Sequence, residues 1–349
     1  MTPSINRRKF MSTAALAGAG LGLGSHLPAF SNTKKMRNDK RVGIIGLDTS
    51  HSVAFTKAFN AADAKEDLGG YKVVAAYPHG SKDIVSSVKR IPEYTEQIQE
   101  FGVEIVDSIE ALLEKVDYIL LETNDGRLHL EQALEVFRAG KPVFIDKPIA
   151  ASLAHTLAIF DAAEKYNVPV FSSSSLRYME NLMAVNEGKI GAVLGADTYS
   201  PATLEPTHPD LFWYGIHGVE TLYAVMGVGC KQVKRTYTEG ADLVVGTWED
   251  GRIGTFRGTR AGSHSYGGTA FGEEGIASLG PYGGYRPLLV EIAKFFATGK
   301  SPVSPEETIE IFTFMEAADV SKKKKGQAVA LADVLKKAKS EASKLKIQS

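Results

Sequence analysis

From residue 41 to residue 172, short apolar runs alternate with segments of helical character, and this alternation constrains the fold more than any other feature. The runs are 41–47, 71–77, 105–106, 116–123, 141–146 and 168–172. Between them, 52–60, 84–101, 109–115, 128–139 and 152–166 read as helices, the second interrupted by Pro92. Strands that are apolar throughout, each followed by a helix, predict a parallel sheet covered on both faces. Such sheets bind ligands beyond the carboxyl ends of their strands.

After about residue 175 the pattern changes. Strand candidates cluster at 195–200, 230–238, 242–248, 252–259 and 268–271, and Asp250-Gly251 supplies a hairpin signal. Helices are expected at 286–298 and 305–323, the latter opened by Pro305-Glu306-Glu307. The fold class expected is α/β: a Rossmann-like parallel sheet domain at 41–150, then an α+β domain with a mainly antiparallel sheet at 151–330. Residues 331–349 read as a C-terminal helical tail. The chain's 349 residues are long enough for two cores. A net charge of −1 gives no reason to expect nucleic acid as a partner. The single cysteine, Cys230, excludes an internal disulfide and a cysteine metal cluster.

Ahead of the fold, S-I-N-R-R-K-F-M precedes a Gly/Ala-rich, mildly apolar stretch without acids. This is signal-peptide architecture, too short and too glycine-rich to span a membrane. Arg7-Arg8 with Phe10 points to twin-arginine export to the periplasm or beyond, with residues 1–31 removed and 32–40 left as a linker. No Cys follows the apolar stretch, so no membrane anchor is expected after its removal.

Several words narrow the family. G-K-P-V-F-I-D-K-P-I-A at 140–150, E-T-N-D-G-R-L-H at 122–129, L-R-Y at 176–178, G-K-I-G-A-V at 188–193 and G-I-H-G-V-E at 215–220 stand in order. Together they resemble the motifs of the glucose–fructose oxidoreductase, inositol dehydrogenase and MocA family. The resemblance implies NAD or NADP held at the strand ends of the first domain. It also implies a sugar or cyclitol under the second domain and a homo-oligomer. It makes Lys147 and His217 the catalytic residues, with Arg177, Trp213 and Tyr214 toward the carbohydrate. Cofactor contacts would fall on Gly46, Asp48, Thr49, Ser50, His51, Thr123, Asn124, His129 and Pro148.

Three positions depart from the family pattern. The phosphate loop reads G-L-D-T-S-H, with Asp48 where a second glycine lets the backbone approach a diphosphate. Asp48, Thr49 and Ser50 are each good helix caps, and a helix start there still favours an anion. After the second strand, Tyr77-Pro78-His79 stand where an acid would grip a ribose. Trp213 takes the place of the acid that normally precedes the catalytic histidine. The function expected is an exported sugar or polyol oxidoreductase with tightly held NAD(P). The alternative is a cofactor-independent carbohydrate-binding protein, or a lyase or isomerase on an oxidised sugar, using the same cleft. No metal site is expected, since Asp48, His51 and His79 lack tight ligand spacing.

Overall fold

The computed structural model describes residues 40–345. The proposed signal peptide, most of the linker and residues 346–349 lie outside them. The first part runs β1 (Arg41–Ile45), α1 (Ser50–Asn60), β2 (Lys72–Tyr77), α2 (Val85–Glu100), β3 (Glu104–Ile105), α3 (Ile109–Lys115), β4 (Tyr118–Leu121), α4 (His129–Arg138), β5 (Val143–Ile145), α5 (Leu153–Tyr166) and β6 (Val170–Phe171). The six strands are all parallel in the order β3-β2-β1-β4-β5-β6. That is the doubly wound order, and its switch point lies between β1 and β4. Helix α2 continues through Pro92 on a largely exposed face, where water can serve the carbonyl the proline leaves without a donor. The sheet continues to Phe171, so the expected boundary at residue 150 falls inside it.

The second part continues α6 (Glu180–Asn186), β7 (Val193–Pro201), α7 (Asp210–Trp213), α8 (Ile216–Met226), β8 (Cys230–Tyr237), β9 (Ala241–Trp248), β10 (Ile253–Thr259), β11 (Gly267–Gly272), β12 (Ile276–Ser278), α9 (Arg286–Thr298), α10 (Pro305–Lys323), β13 (Val329–Ala330) and α11 (Leu331–Ala342). Its seven-stranded sheet has the order β12-β11-β7-β10-β9-β8-β13, antiparallel except between β7 and β10.

Two packing features set the site. Helix α8 lies directly on the second sheet: a Cβ on Gly218 would stand 2.3 Å from the Phe256 ring, so only glycine permits this approach beside His217. Helix α9 returns to the first domain, where Leu288, Ile292, Phe295 and Phe296 share one core with Val42, Ile44, Phe55 and Phe59. The loop before α9 is thereby held over the strand ends of the first sheet.

Candidate functional site

At the carboxyl ends of β1, β4 and β5 the chain leaves the sheet into loops that meet the second domain. Gly46 turns out of β1 at φ +90°, and a Cβ there would lie 2.5 Å from the Thr123 nitrogen. The glycine thus serves close approach between the β1 and β4 loops. Thr49 caps α1 by accepting from the His51 N–H at 3.4 Å.

A cleft opens where these loops face α7, α8 and the loop before α9. Its floor carries Thr49, Ser50 and His51 from α1, Asn124 after β4 and Lys147 after β5. Ser86 and Arg90 of α2 extend it to one side. The opposite wall is Trp213, Tyr214, His217, Tyr266, Tyr282 and Tyr285, with Ser175 between.

The floor is a cluster of ionisable groups. His51 Nδ1 lies 2.8 Å from Asp146 Oδ2, and Lys147 Nζ lies 3.4 Å from the same oxygen. Burial works to raise the Asp146 carboxyl, but its neighbours His51 and Lys147 outweigh it and hold it below the usual range. The Lys147 ammonium is disfavoured by burial and restored by Asp146, with a net shift upward, so both partners stay charged at neutral pH. Below them sits Glu122, fully buried, with neither carboxylate oxygen hydrogen-bonded among the described residues. Burial, then the Asp146 charge, pushes its carboxyl well up. His51, Glu122 and Asp146 each place one ligand-type atom within 4.8 Å of the others. The Lys147 ammonium already supplies a cation to this group.

The wall carries no acid. His217 is buried, and its Nδ1 lies 2.8 Å from Ser174 Oγ. Burial first, then the nearby Lys147 charge, brings its imidazole well below the usual value, so it is neutral at pH 7. Tyr214 and Tyr266 meet the His217 ring edge-on at 5.4 and 5.7 Å. Tyr282 OH lies 3.0 Å from Ser175 Oγ, and burial raises its phenol to about 12.

The sequence expectations divide here. Thr49, Ser50, His51, Asn124, Lys147, Trp213, Tyr214 and His217 are brought together on the cleft. Arg177 is not: its guanidinium is consumed by Glu220 of α8 at 3.1 Å and Glu307 of α10 at 2.6 Å, so it ties helices beneath the wall. His129 is fully buried, its ring nitrogens 3.1 Å from the Ile149 carbonyl and 2.6 Å from that of Thr123, which leaves neither for a cofactor. Gly46, Thr123 and Pro148 are not among the residues that line the cleft. Asp48 turns inward, accepting from the N–H groups of Ser81 at 3.0 Å and Asn124 at 2.8 Å. It neither caps α1 nor faces the cleft. Burial raises its carboxyl, which these two donors only partly offset.

Ser86, Arg90, Tyr266, Tyr282 and Tyr285 were not expected. They come from a helix flank and from loops whose sequence carries no motif; the only local hint was tyrosines within glycine-rich segments at 266–285.

Architecture and site define a two-domain protein with a doubly wound nucleotide-binding sheet and a cleft closed by an antiparallel-sheet domain. Residues 13–174 match the sequence profile described as "Oxidoreductase family, NAD-binding Rossmann fold". That profile, GFO_IDH_MocA, is what this stretch, a little under half of the chain, is similar to. Scyllo-inositol dehydrogenase of Lactobacillus casei, solved with NAD(H) and scyllo-inositol, is similar in fold (TM-score 0.64, 15% identity, 84% of this chain and 99% of that one). Myo-inositol dehydrogenase of the same species, solved with NAD(H) and myo-inositol, gives a TM-score of 0.65 at 17% identity over 83% of this chain and 96% of its own. An uncharacterized oxidoreductase of Streptococcus pneumoniae serotype 4 (strain ATCC BAA-334 / TIGR4) is 28% identical over 129 residues. That stretch spans about a third of each of the two chains.

Proposed function

We propose that the protein is an oxidoreductase that transfers a hydride between a sugar-like polyol and tightly held NAD or NADP. One observation carries the reading: Lys147 of the first domain and His217 of the second line the same cleft, against a wall of tyrosines and Trp213. Aromatic faces with phenol hydroxyls suit the apolar faces and hydroxyl edges of a carbohydrate.

The residues present fit a dinucleotide. The start of α1, with Thr49 and Ser50 on the cleft, offers N–H groups to a diphosphate, and Arg90 brings a cation to the same side. Asp48 does not oppose a phosphate, because its carboxylate is spent on Ser81 and Asn124. When bound, NAD supplies the hydride acceptor. Lys147 stabilises negative charge developing on the substrate oxygen, and Tyr214 and Tyr282 orient hydroxyls.

The test is to purify the full chain without added nucleotide, denature it and chromatograph the supernatant. Near-stoichiometric NAD(H) or NADP(H) is expected. No nucleotide, with no binding on titration, would refute the reading. Trp213 in place of an acid favours a second reading, a cofactor-independent lyase or isomerase acting on an oxidised sugar. That reading predicts turnover of such a sugar without nucleotide.

Two further parts of the proposal concern location and assembly. Arg7-Arg8 supports twin-arginine export, tested by fractionating cells carrying R7K/R8K: the parent is expected in the exported fraction and the variant inside. Leu194, Tyr199, Ile253 and Phe271 are exposed apolar side chains on β7, β10 and β11, which supports self-association. Light scattering is expected to give a dimer or larger, and a monomeric mass would refute it.

A further inference from the structure

The chain carries two imidazoles on one cleft, and their hydrogen bonds distinguish them. A neutral histidine has one N–H and one lone pair, and the partner of one nitrogen dictates the state of the other. Asp146 is an ionised carboxylate and can only accept, so the His51 Nδ1 at 2.8 Å must hold the proton. Nε2 of His51 is then a free lone pair. The ring is fixed for that task, stacked on Phe55 at 5.4 Å and held against Tyr285 at 4.7 Å.

His217 is the reverse. Ser174 Oγ accepts from the Leu176 N–H at 3.3 Å, and its own hydroxyl proton has His217 Nδ1, at 2.8 Å, as its acceptor among the described residues. That spends the Nδ1 lone pair and puts the His217 proton on Nε2, where it can only donate.

We propose that His51, oriented by Asp146, is the base that takes the substrate hydroxyl proton, and that His217 donates a hydrogen bond to the substrate instead. This rests on the hydride-transfer reading above and reassigns its proton. The substrate O–H bond breaks and its proton bonds to His51 Nε2. The adjacent C–H pair leaves as hydride to the oxidised nicotinamide, and the carbon–oxygen double bond forms. The proton then passes from Nε2 to solvent. Asp146 acts as a positioning residue in the manner of other His–carboxylate pairs. Lys147 and Asp146 after β5, Glu122 after β4, Tyr285 before α9, and His217 and Tyr214 beside α8 are the ionisable groups around this imidazole.

The first test needs neither cofactor nor substrate. Long-range proton–nitrogen correlation spectra of the ¹⁵N-labelled full chain at pH 8, assigned through backbone-to-ring correlations, report which ring nitrogen is protonated. His51 is expected as the Nδ1–H form and His217 as the Nε2–H form. Asp146→Asn, which can donate to Nδ1, is expected to switch His51 to Nε2–H. A parent His51 protonated at Nε2, or a His217 protonated at Nδ1, would overturn the assignment whether or not NAD binds.

The second test is turnover with NAD and myo-inositol as the probe pair. His51→Asn is expected to lower kcat about 10²–10⁴-fold, the usual worth of a general base, with partial rescue by imidazole. His217→Gln keeps a donor and is expected to raise KM while kcat stays within about tenfold, close to one neutral hydrogen bond's worth. A collapse of kcat confined to His217→Gln would return the base to that residue. If nucleotide is absent and the pair does not turn over, the hydride reading fails, and the spectra alone decide the protonation states.

Discussion

The floor and the wall of the cleft are built on different principles. The floor comes from strand ends and the start of α1, and its groups are ionisable: Lys147 and His51 share one carboxylate oxygen of Asp146, with Glu122 beneath. The wall comes from helices and loops of the second domain, and its groups are aromatic and neutral. The contrast shows where each kind of work is placed. Proton and charge chemistry needs fixed distances, which a buried parallel sheet provides. Recognition of substrate shape tolerates variation and sits on loops carried by a separate sheet. Changes to the floor should therefore act on kcat, and changes to the wall on KM.

The largest expected effect lies under the wall. Arg177→Met leaves the buried Glu220 and the half-buried Glu307 without their cation, and should cost about 3–5 kcal/mol of stability, read from urea unfolding. Activity per folded molecule should persist, and a selective loss of activity without loss of stability would place Arg177 on the substrate after all.

On the floor, Lys147→Met should lower kcat about 10²–10³-fold, the worth of one donor to a developing oxyanion. A change confined to KM would erase the distinction between floor and wall. Behind the floor, Asp48→Ala strands the N–H groups of Ser81 and Asn124 and should cost about 1–3 kcal/mol. An unchanged melting temperature would mean the carboxylate does not tie these loops. On the wall, Tyr282→Phe should raise KM up to about tenfold, with kcat steady, by losing one hydroxyl worth about 1 kcal/mol.

The smallest effect is a pH trend. His217 has a folded value below its unfolded one, so as pH falls below about 6.5 the unfolded chain takes up the proton first. The parent should therefore lose stability relative to His217→Gln between pH 7 and pH 5. A constant difference across that range would mean His217 titrates normally.

The parallel sheet and the residues where motif and strand end coincide were legible in the sequence. Lys147 follows an apolar run and precedes proline, and His217 sits in a helix that glycine presses onto a sheet, so both positions are marked locally. Direction was not marked. Asp48, His129 and Arg177 have residue types suited to ligands, but each is turned to protein partners, and that depends on loops distant in sequence. The tyrosines at 266, 282 and 285 reach the cleft only because α9 packs back on the first sheet, a contact between segments more than 200 residues apart that local pattern does not encode.

The most direct test of the account uses the chain's two tryptophans. Trp213 lines the cleft, while Trp248 is buried elsewhere with its indole N–H on the Gly227 carbonyl at 2.9 Å. Protein freed of nucleotide by partial unfolding and refolding would be titrated with NAD and NADP while tryptophan emission is followed. The account predicts a saturable change with one of them, lost in Trp213→Phe. An unaltered signal with both, together with no nucleotide in the freshly purified chain, would contradict it.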